Sequence, residues 1–206
     1  MIFKKRFLEG DVAFTVYKGA AEPSLPIALV PLWGEYPNVE GSVRLGLRDT
    51  TLLLIFKMRS PQLLRMVDRH NGPVYRDSCV EAFLQQQGRD EYLNFEFSAS
   101  GSILAAKGKN RENRTFFDPD LIDTIPLTIE ILENNNRQSR YVVSVELDLR
   151  AFGLVEEGRE VNLRGNFNAC GDGHKVPYYL AANPIGTVKP DFHAPAFFAP
   201  LVVTGR

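Results

Sequence analysis

Short runs in which apolar and polar residues alternate constrain this chain more than any other feature. Val43-Arg-Leu-Gly-Leu-Arg48 sets Val43, Leu45 and Leu47 on one side and Arg44 and Arg48 on the other, the period of a half-buried strand. After the turn-forming Arg48-Asp-Thr-Thr51, Leu52-Leu-Leu-Ile-Phe-Lys-Met58 is apolar on both faces. That predicts a strand inside a sandwich, paired with the first as a hairpin. Similar runs recur at 102–106, 127–132, 140–147, 160–170 and 198–203. Helical signals are few. Ser60-Pro-Gln-Leu-Leu-Arg-Met-Val-Asp68 offers Ser60 as an N-cap and Pro61 at the first helical position, predicting a short helix or turn. Asp148-Leu-Arg-Ala-Phe-Gly153 predicts one helical turn ending at Gly153. The 206 residues, 44% of them hydrophobic, suffice for one core. The reading is a single domain over 1–206: an all-β antiparallel β-sandwich with long loops and one or two short helical turns.

Charge narrows the function classes. A formal net charge of −1 with Lys, Arg, Asp and Glu interspersed leaves no basic stripe for a phosphate backbone, so no nucleic acid is expected as a partner. No segment is long enough to span a bilayer, and the basic start over residues 1–10 is not followed by an apolar stretch or a small-residue cleavage site. No membrane partner is expected, and the cytoplasm is the default compartment, although a chain trimmed of a leader would read the same. Cys79 and Cys170 fall in separate strand-like runs, where free buried thiols are the favoured reading over a disulfide.

Polar residues gather on particular strand faces. From Asp77 to Leu84, Asp77, Cys79, Glu81 and Phe83 share one face, which places the acid of Glu81 between apolar neighbours. The next strand separates Leu93, Phe95 and Phe97 from Tyr92, Asn94, Glu96 and Ser98. The loop Gln85-Gln-Gln-Gly-Arg-Asp-Glu91 joins the two as a hairpin, and a suitable register sets Glu81 beside Asn94 or Glu96. A third polar face, Asn162, Arg164, Asn166 and Asn168, alternates with Val161, Leu163, Phe167 and Ala169. Asn is a poor strand former, so its repetition asks for a reason. Planar amides and carboxylates take paired sugar hydroxyls, while a ring such as Tyr75, Tyr178 or Tyr179 stacks on the C–H face of a sugar. The competing reading is a solvated face with Asp77 or Glu81 bracing Arg44 or Arg164. Loops at 110–119 and 171–200, rich in Gly, Pro, Asn and Asp, are too long for simple connectors and are expected to wrap a sheet face.

The segments Pro73-Val-Tyr-Arg-Asp-Ser-Cys-Val-Glu-Ala-Phe-Leu84 and Tyr92-Leu-Asn-Phe-Glu-Phe-Ser98 resemble the family 9 carbohydrate-binding modules, in particular stand-alone bacterial relatives within the DOMON-like sandwich group. The likeness continues through Arg164-Gly-Asn-Phe-Asn-Ala-Cys-Gly-Asp172, Tyr179-Leu-Ala-Ala-Asn-Pro-Ile185 and Lys189-Pro-Asp-Phe-His-Ala-Pro-Ala-Phe-Phe198. The resemblance implies a DOMON-like, immunoglobulin-like jelly-roll sandwich that binds a saccharide without catalysis, often at a reducing end, in support of polysaccharide breakdown and beside a glycoside hydrolase. In that pattern the aromatic before the Asp-Ser motif maps to Tyr75 and the motif's last acid to Glu81. On the reading of the strand faces, Tyr75 stacks and Glu81 and Asn94 bond hydroxyls, with Asp77, Glu96, Arg164, Asn166, Tyr178 and Tyr179 as further ligand-binding candidates. Where such a clamp commonly carries a second Trp, this sequence has Ala182. That departure predicts weak or altered binding unless Tyr178, Tyr179 or Phe192 substitutes.

Other chemistries remain open to these residues. Glu81 and Glu96 are acids of the kind a glycoside hydrolase pairs, the alternative from another class. Met58, Met66, His70, His174 and His193 are candidate axial ligands for the haem that some DOMON-like domains bind. Cys170-Gly-Asp-Gly-His174 places a thiol near a histidine, which reads as a strand-end thiol and a surface histidine rather than a nucleophile pair. No cofactor is required. Structural calcium is the metal most in keeping with the resemblance, but Asp118-Pro-Asp120 reads as a turn rather than a calcium loop.

Overall fold

The computed structural model describes residues 13–19, 24–156 and 158–205. The basic start at 1–10 lies outside the described residues. Among the described residues thirteen strands form: β1 (Phe14–Lys18), β2 (Ile27–Pro31), β3 (Glu40–Arg48), β4 (Thr51–Ser60), β5 (Cys79–Gln86), β6 (Tyr92–Ser98), β7 (Ile103–Gly108), β8 (Arg114–Phe116), β9 (Leu127–Asn134), β10 (Ser139–Asp148), β11 (Leu163–Cys170), β12 (Tyr179–Ala181) and β13 (Ala199–Gly205). The hairpin read from alternation is β3–β4, paired from Arg48 and Thr51 to Glu40 and Arg59. Asp49, at φ 54°, supplies its left-handed turn residue.

Hydrogen bonding runs in the order β8-β7-β6-β5-β11-β12-β2-β3-β4-β10-β9. The path folds over at β12 and β2, making a β-sandwich whose layers are β8-β7-β6-β5-β11 and β2-β3-β4-β10-β9. On the other side β13 pairs with β11, and β1 runs parallel to both β13 and β3, so the layers are stitched together twice. Val80, Ala82, Leu84, Leu93, Phe95 and Phe97 from one layer meet Leu45, Leu54, Phe56, Tyr141, Val143 and Val145 from the other in one buried core.

Three local expectations are corrected. Leu52, Leu54, Phe56 and Met58 are buried, but Leu53 and Ile55 are only half-buried and Lys57 is exposed. β4 is therefore covered on one face, and its outer apolar residues make a half-wet stripe. No helix forms at 61–68: Ser60 ends β4 and its hydroxyl donates to the Gln62 carbonyl at 2.6 Å. The amides that a helix would use internally donate instead to Ser78 Oγ (Leu64) and to the Asp77 carboxylate (Met66 and Val67). The α-helical turn lies where a plain turn was expected, as α1 (Pro119–Ile122), capped by Asp118, whose carboxylate accepts from the Asp120 amide at 2.9 Å. Residues 148–153 make a hydrogen-bonded turn in which Gly153 takes φ 71°.

The outer face of the β5–β11 layer is not left to water. A second apolar cluster, including Val74, Phe83, Tyr92, Leu104, Phe192 and Phe198, lies against it, and the 171–200 segment supplies much of its cover. The 110–119 stretch, expected as a loop, instead forms β8 in part and extends the layer beyond β7. The covered outer face carries the candidate site.

Candidate functional site

Strand register sets out the floor of the site in rows. Glu81 on β5 stands directly opposite Glu96 on β6 and opposite Asn168 on β11, and Glu96 faces Leu104 on β7. The row before it pairs Cys79 with Cys170 on one side and Ser98 on the other. The row after it pairs Phe83 with Asn166 and Asn94. Because successive side chains alternate across a strand, all of these project from the layer's outer face. They form a polar square set in apolar surroundings.

Walls come from the loops. A 3₁₀ turn at Val74–Arg76 raises Tyr75 beside the floor, 36% exposed. Its carbonyl accepts from the Asp172 amide at 3.1 Å, and the Gly173 amide donates to the Arg76 carbonyl at 3.0 Å. A Cβ on Gly173 would stand 2.4 Å from the Arg76 oxygen, so only glycine permits this approach. Arg111 enters from the β7–β8 turn and Arg114 from the start of β8, and Pro190, Asp191, Phe192 and His193 from the C-terminal loop. Trp33 buttresses this side: its indole N–H donates to the Thr187 carbonyl at 2.7 Å, and its ring packs on Tyr179 and Phe192. The result is a recess of about 110 Å³ lined by Tyr75, Glu81, Glu96, Cys170, Asp172 and Tyr179 together with the loop residues just named, room for several waters or the edge of one ring.

Electrostatics follow from burial. Glu81 and Glu96 are 3% and 4% exposed. Desolvation and the neighbouring Glu96 charge hold the Glu81 carboxyl well above the usual carboxylate range. Burial pushes Glu96 up to about 7 despite the opposing pull of Arg114 and Arg111. One Glu96 oxygen accepts from the Asn94 amide at 3.1 Å while the other has no partner, and neither side-chain polar atom of Asn168 has one. Buried polar atoms without partners are costly and suit a site that a ligand completes.

The structure brings Tyr75, Glu81, Glu96 and Tyr179 together at the recess. Asn94 lies behind Glu96, donating to it and accepting from Arg114 at 3.0 Å. Other candidates are spent elsewhere. Asp77 accepts from the Met66 and Val67 amides and the Ser98 hydroxyl, bracing the 61–73 loop. Asn166 exchanges bonds with the Asn183 backbone, and Arg164 donates to the Pro195 and Phe198 carbonyls, so both tether the C-terminal loop. Tyr178, next to Tyr179 but on the opposite face, is 1% exposed in the main core. Ala182 also packs against that core, and the aromatic groups that line the recess with Tyr75 are Tyr179 and Phe192.

The candidate haem ligands are dispersed among unrelated contacts: Met58 is in the core, Met66 is exposed, His70 bonds Asp123, His174 bonds Ser78 and His193 bonds Tyr92. His174 is buried rather than at the surface. Asp118 serves α1 as its cap. Sequence reasoning missed Arg111, Arg114, Asp191 and Trp33 as site residues. The only signal for the first three was the length of the irregular stretches, 110–119 and 171–200, in which they lie in the sequence; Arg114 itself begins β8.

A two-layer sandwich with a recess built on one outer face and roofed by loops defines a β-sandwich binding module. A family model described as carbohydrate-binding family 9 matches residues 23–203, and the chain belongs to that family. Among solved structures, it is 27% identical to a protein of Bacteroides uniformis provisionally described as carbohydrate-binding, at a TM-score of 0.79 over 93% of this chain and 99% of that one. It also shares its fold with a family 9 carbohydrate-binding module of Caldicellulosiruptor kristjanssonii. The form in complex with cellotriose is 12% identical, with a TM-score of 0.60 and 95% of each chain covered. The form in complex with glucose is 13% identical, with a TM-score of 0.56 over 95% of this chain and 97% of that one. No curated protein matches the chain.

Proposed function

We propose that this protein binds a saccharide end non-covalently in the recess between Tyr75 and the C-terminal loop. The observation that carries the reading is the adjacency of Glu81 and Glu96 on the floor, with an unpartnered Glu96 oxygen, beneath aromatic walls. Carboxylates and amides bond ring hydroxyls, and Tyr75 and Tyr179 offer apolar faces to the sugar's C–H groups. Family membership and the saccharides bound by the Caldicellulosiruptor module support the same ligand class. A recess that accepts the edge of one ring suits a chain terminus, and the reducing end is the end proposed. The role is recognition in support of polysaccharide breakdown, beside a glycoside hydrolase. Hydrolysis needs carboxyls on either side of the scissile bond, whereas Glu81 and Glu96 stand side by side on one sheet face.

Calorimetric titration with glucose and cello-oligosaccharides, each with a free or a chemically reduced end, tests this reading while hydrolysis products are monitored. Heat from the free-end sugars alone, without cleavage, is the expected result. Glu81→Ala is expected to weaken binding at least tenfold, about 1.4 kcal/mol, with an unchanged circular dichroism spectrum. Unchanged affinity in the folded variant removes Glu81 from the site.

A further inference from the structure

The floor of the recess contains a second constellation, which shares Glu81 with the proposed saccharide site and adds Cys79, Cys170 and Asn168. Cys79 and Cys170 are both free and fully buried, and they stand directly opposite each other on β5 and β11. Two residues along each strand, on the same face, stand Glu81 and Asn168, again directly opposite each other. Four donor-bearing side chains thus occupy the corners of one square on two adjacent strands. The Cys170 thiol donates to Glu81 Oε1 at 3.1 Å. Among the described residues, Cys79, Glu81 and Cys170 form a group whose ligand atoms all lie within 4.8 Å of one another. Asn168 supplies an independent observation: it is 0% exposed, and neither its amide oxygen nor its nitrogen has a partner.

We infer that Cys79 Sγ, Cys170 Sγ and a Glu81 carboxylate oxygen bind a thiophilic divalent cation of the zinc type, with the Asn168 carbonyl completing four ligands. Tetrahedral zinc takes sulfur at about 2.3 Å and oxygen at about 2.0 Å, which sets its donors roughly 3.3–3.8 Å apart. The Cys79, Glu81 and Cys170 donors, already within 4.8 Å of one another, need to draw in by about 1 Å to reach that spacing. Thiolate sulfur selects zinc over calcium or magnesium, which prefer oxygen alone. Binding displaces the two thiol protons, and any proton held on the Glu81 carboxyl, to solvent. Cys170 and Glu81 both line the recess, giving the cation an entry path. Once Oε1 turns to the metal, the other Glu81 oxygen remains available to a ligand above, so the cation would fix the carboxylate from below. Such support orients a binding group in the way that outer-shell partners orient metal ligands.

The test uses the full chain, reduced and treated with chelator, then titrated with Co²⁺ and with Zn²⁺. One equivalent of cobalt should produce a sulfur-to-cobalt charge-transfer absorption and the intense visible bands of a tetrahedral site. Zinc should displace it and protect both thiols from a thiol reagent under native conditions. Cys79→Ser and Cys170→Ser should each lose the charge-transfer band and weaken zinc binding by more than about a hundredfold, a larger effect than loss of an outer-shell partner. Glu81→Gln, which retains both thiols and a neutral side chain of the same shape, keeps the test informative if a cysteine variant fails to fold; it should also weaken zinc binding. Absence of a stoichiometric cobalt spectrum in the folded, reduced protein overturns the inference. So does undiminished zinc binding in a folded Cys79→Ser, Cys170→Ser variant. Because the readout is spectroscopic, it stands or falls apart from saccharide binding.

Discussion

Adjacent tyrosines show how much depends on one residue's face. Tyr178 is sealed in the main core, and Tyr179 leans on Trp33 and Phe192 at the recess. Tyr178→Ala is expected to cost about 3–5 kcal/mol, the range for emptying a buried aromatic site, measured by urea unfolding. Tyr179→Ala should cost less than half as much and instead weaken saccharide binding. His193 supplies a pH dependence. Burial, reinforced by the Arg114 and Arg111 charges, lowers its imidazole from 6.5 to about 3, while its Nδ1 stands 2.8 Å from the Tyr92 hydroxyl. Between those values the unfolded chain binds the extra proton, so this contribution is complete above pH 6.5 and is lost as pH falls towards 3. Unfolding midpoints at pH 4.5 and 7 should therefore differ more in the native protein than in His193→Gln.

At the scale of elements, the site depends on side chains that never reach it. The Asp77 carboxylate holds the strandless 61–73 segment against the start of β5 through two amides and the Ser98 hydroxyl. Removing the acceptor leaves these donors unpaired, so Asp77→Ala is expected to cost roughly 3 kcal/mol. Hydrogen exchange should show the Met66 and Val67 amides losing protection before those of β5 and β6. The same network explains why the helical signal at 60–68 failed. Ser60 and Pro61 are helix-starting residues locally, but Asp77 and Ser78, ten to fourteen positions from the amides, take them. Hairpins fared better, because alternation and a turn residue are local properties: β3–β4 and β5–β6 both lie where the pattern puts them.

For the whole molecule, the two layers share one core and are joined at both sides, by β12 with β2 and by β13 with β1. Unfolding should be a single transition in urea, and removal of 199–206 should abolish it, since β1 and β11 both lose their β13 partner. The sequence by itself determined the all-β class, the strand faces and the hairpins, because each follows from side-chain alternation and turn chemistry within a few residues. It also set Glu81 on the same face as Cys79. Only the tertiary structure decided which polar faces meet. Glu96 and Asn168 flank Glu81 through strand register, Arg111 and Asp191 arrive on loops and Arg114 on the edge strand β8, and Asp77, Asn166 and Arg164 serve as braces. The physical reason is that register and loop placement are fixed by burial summed over distant segments, which no local run of residues encodes.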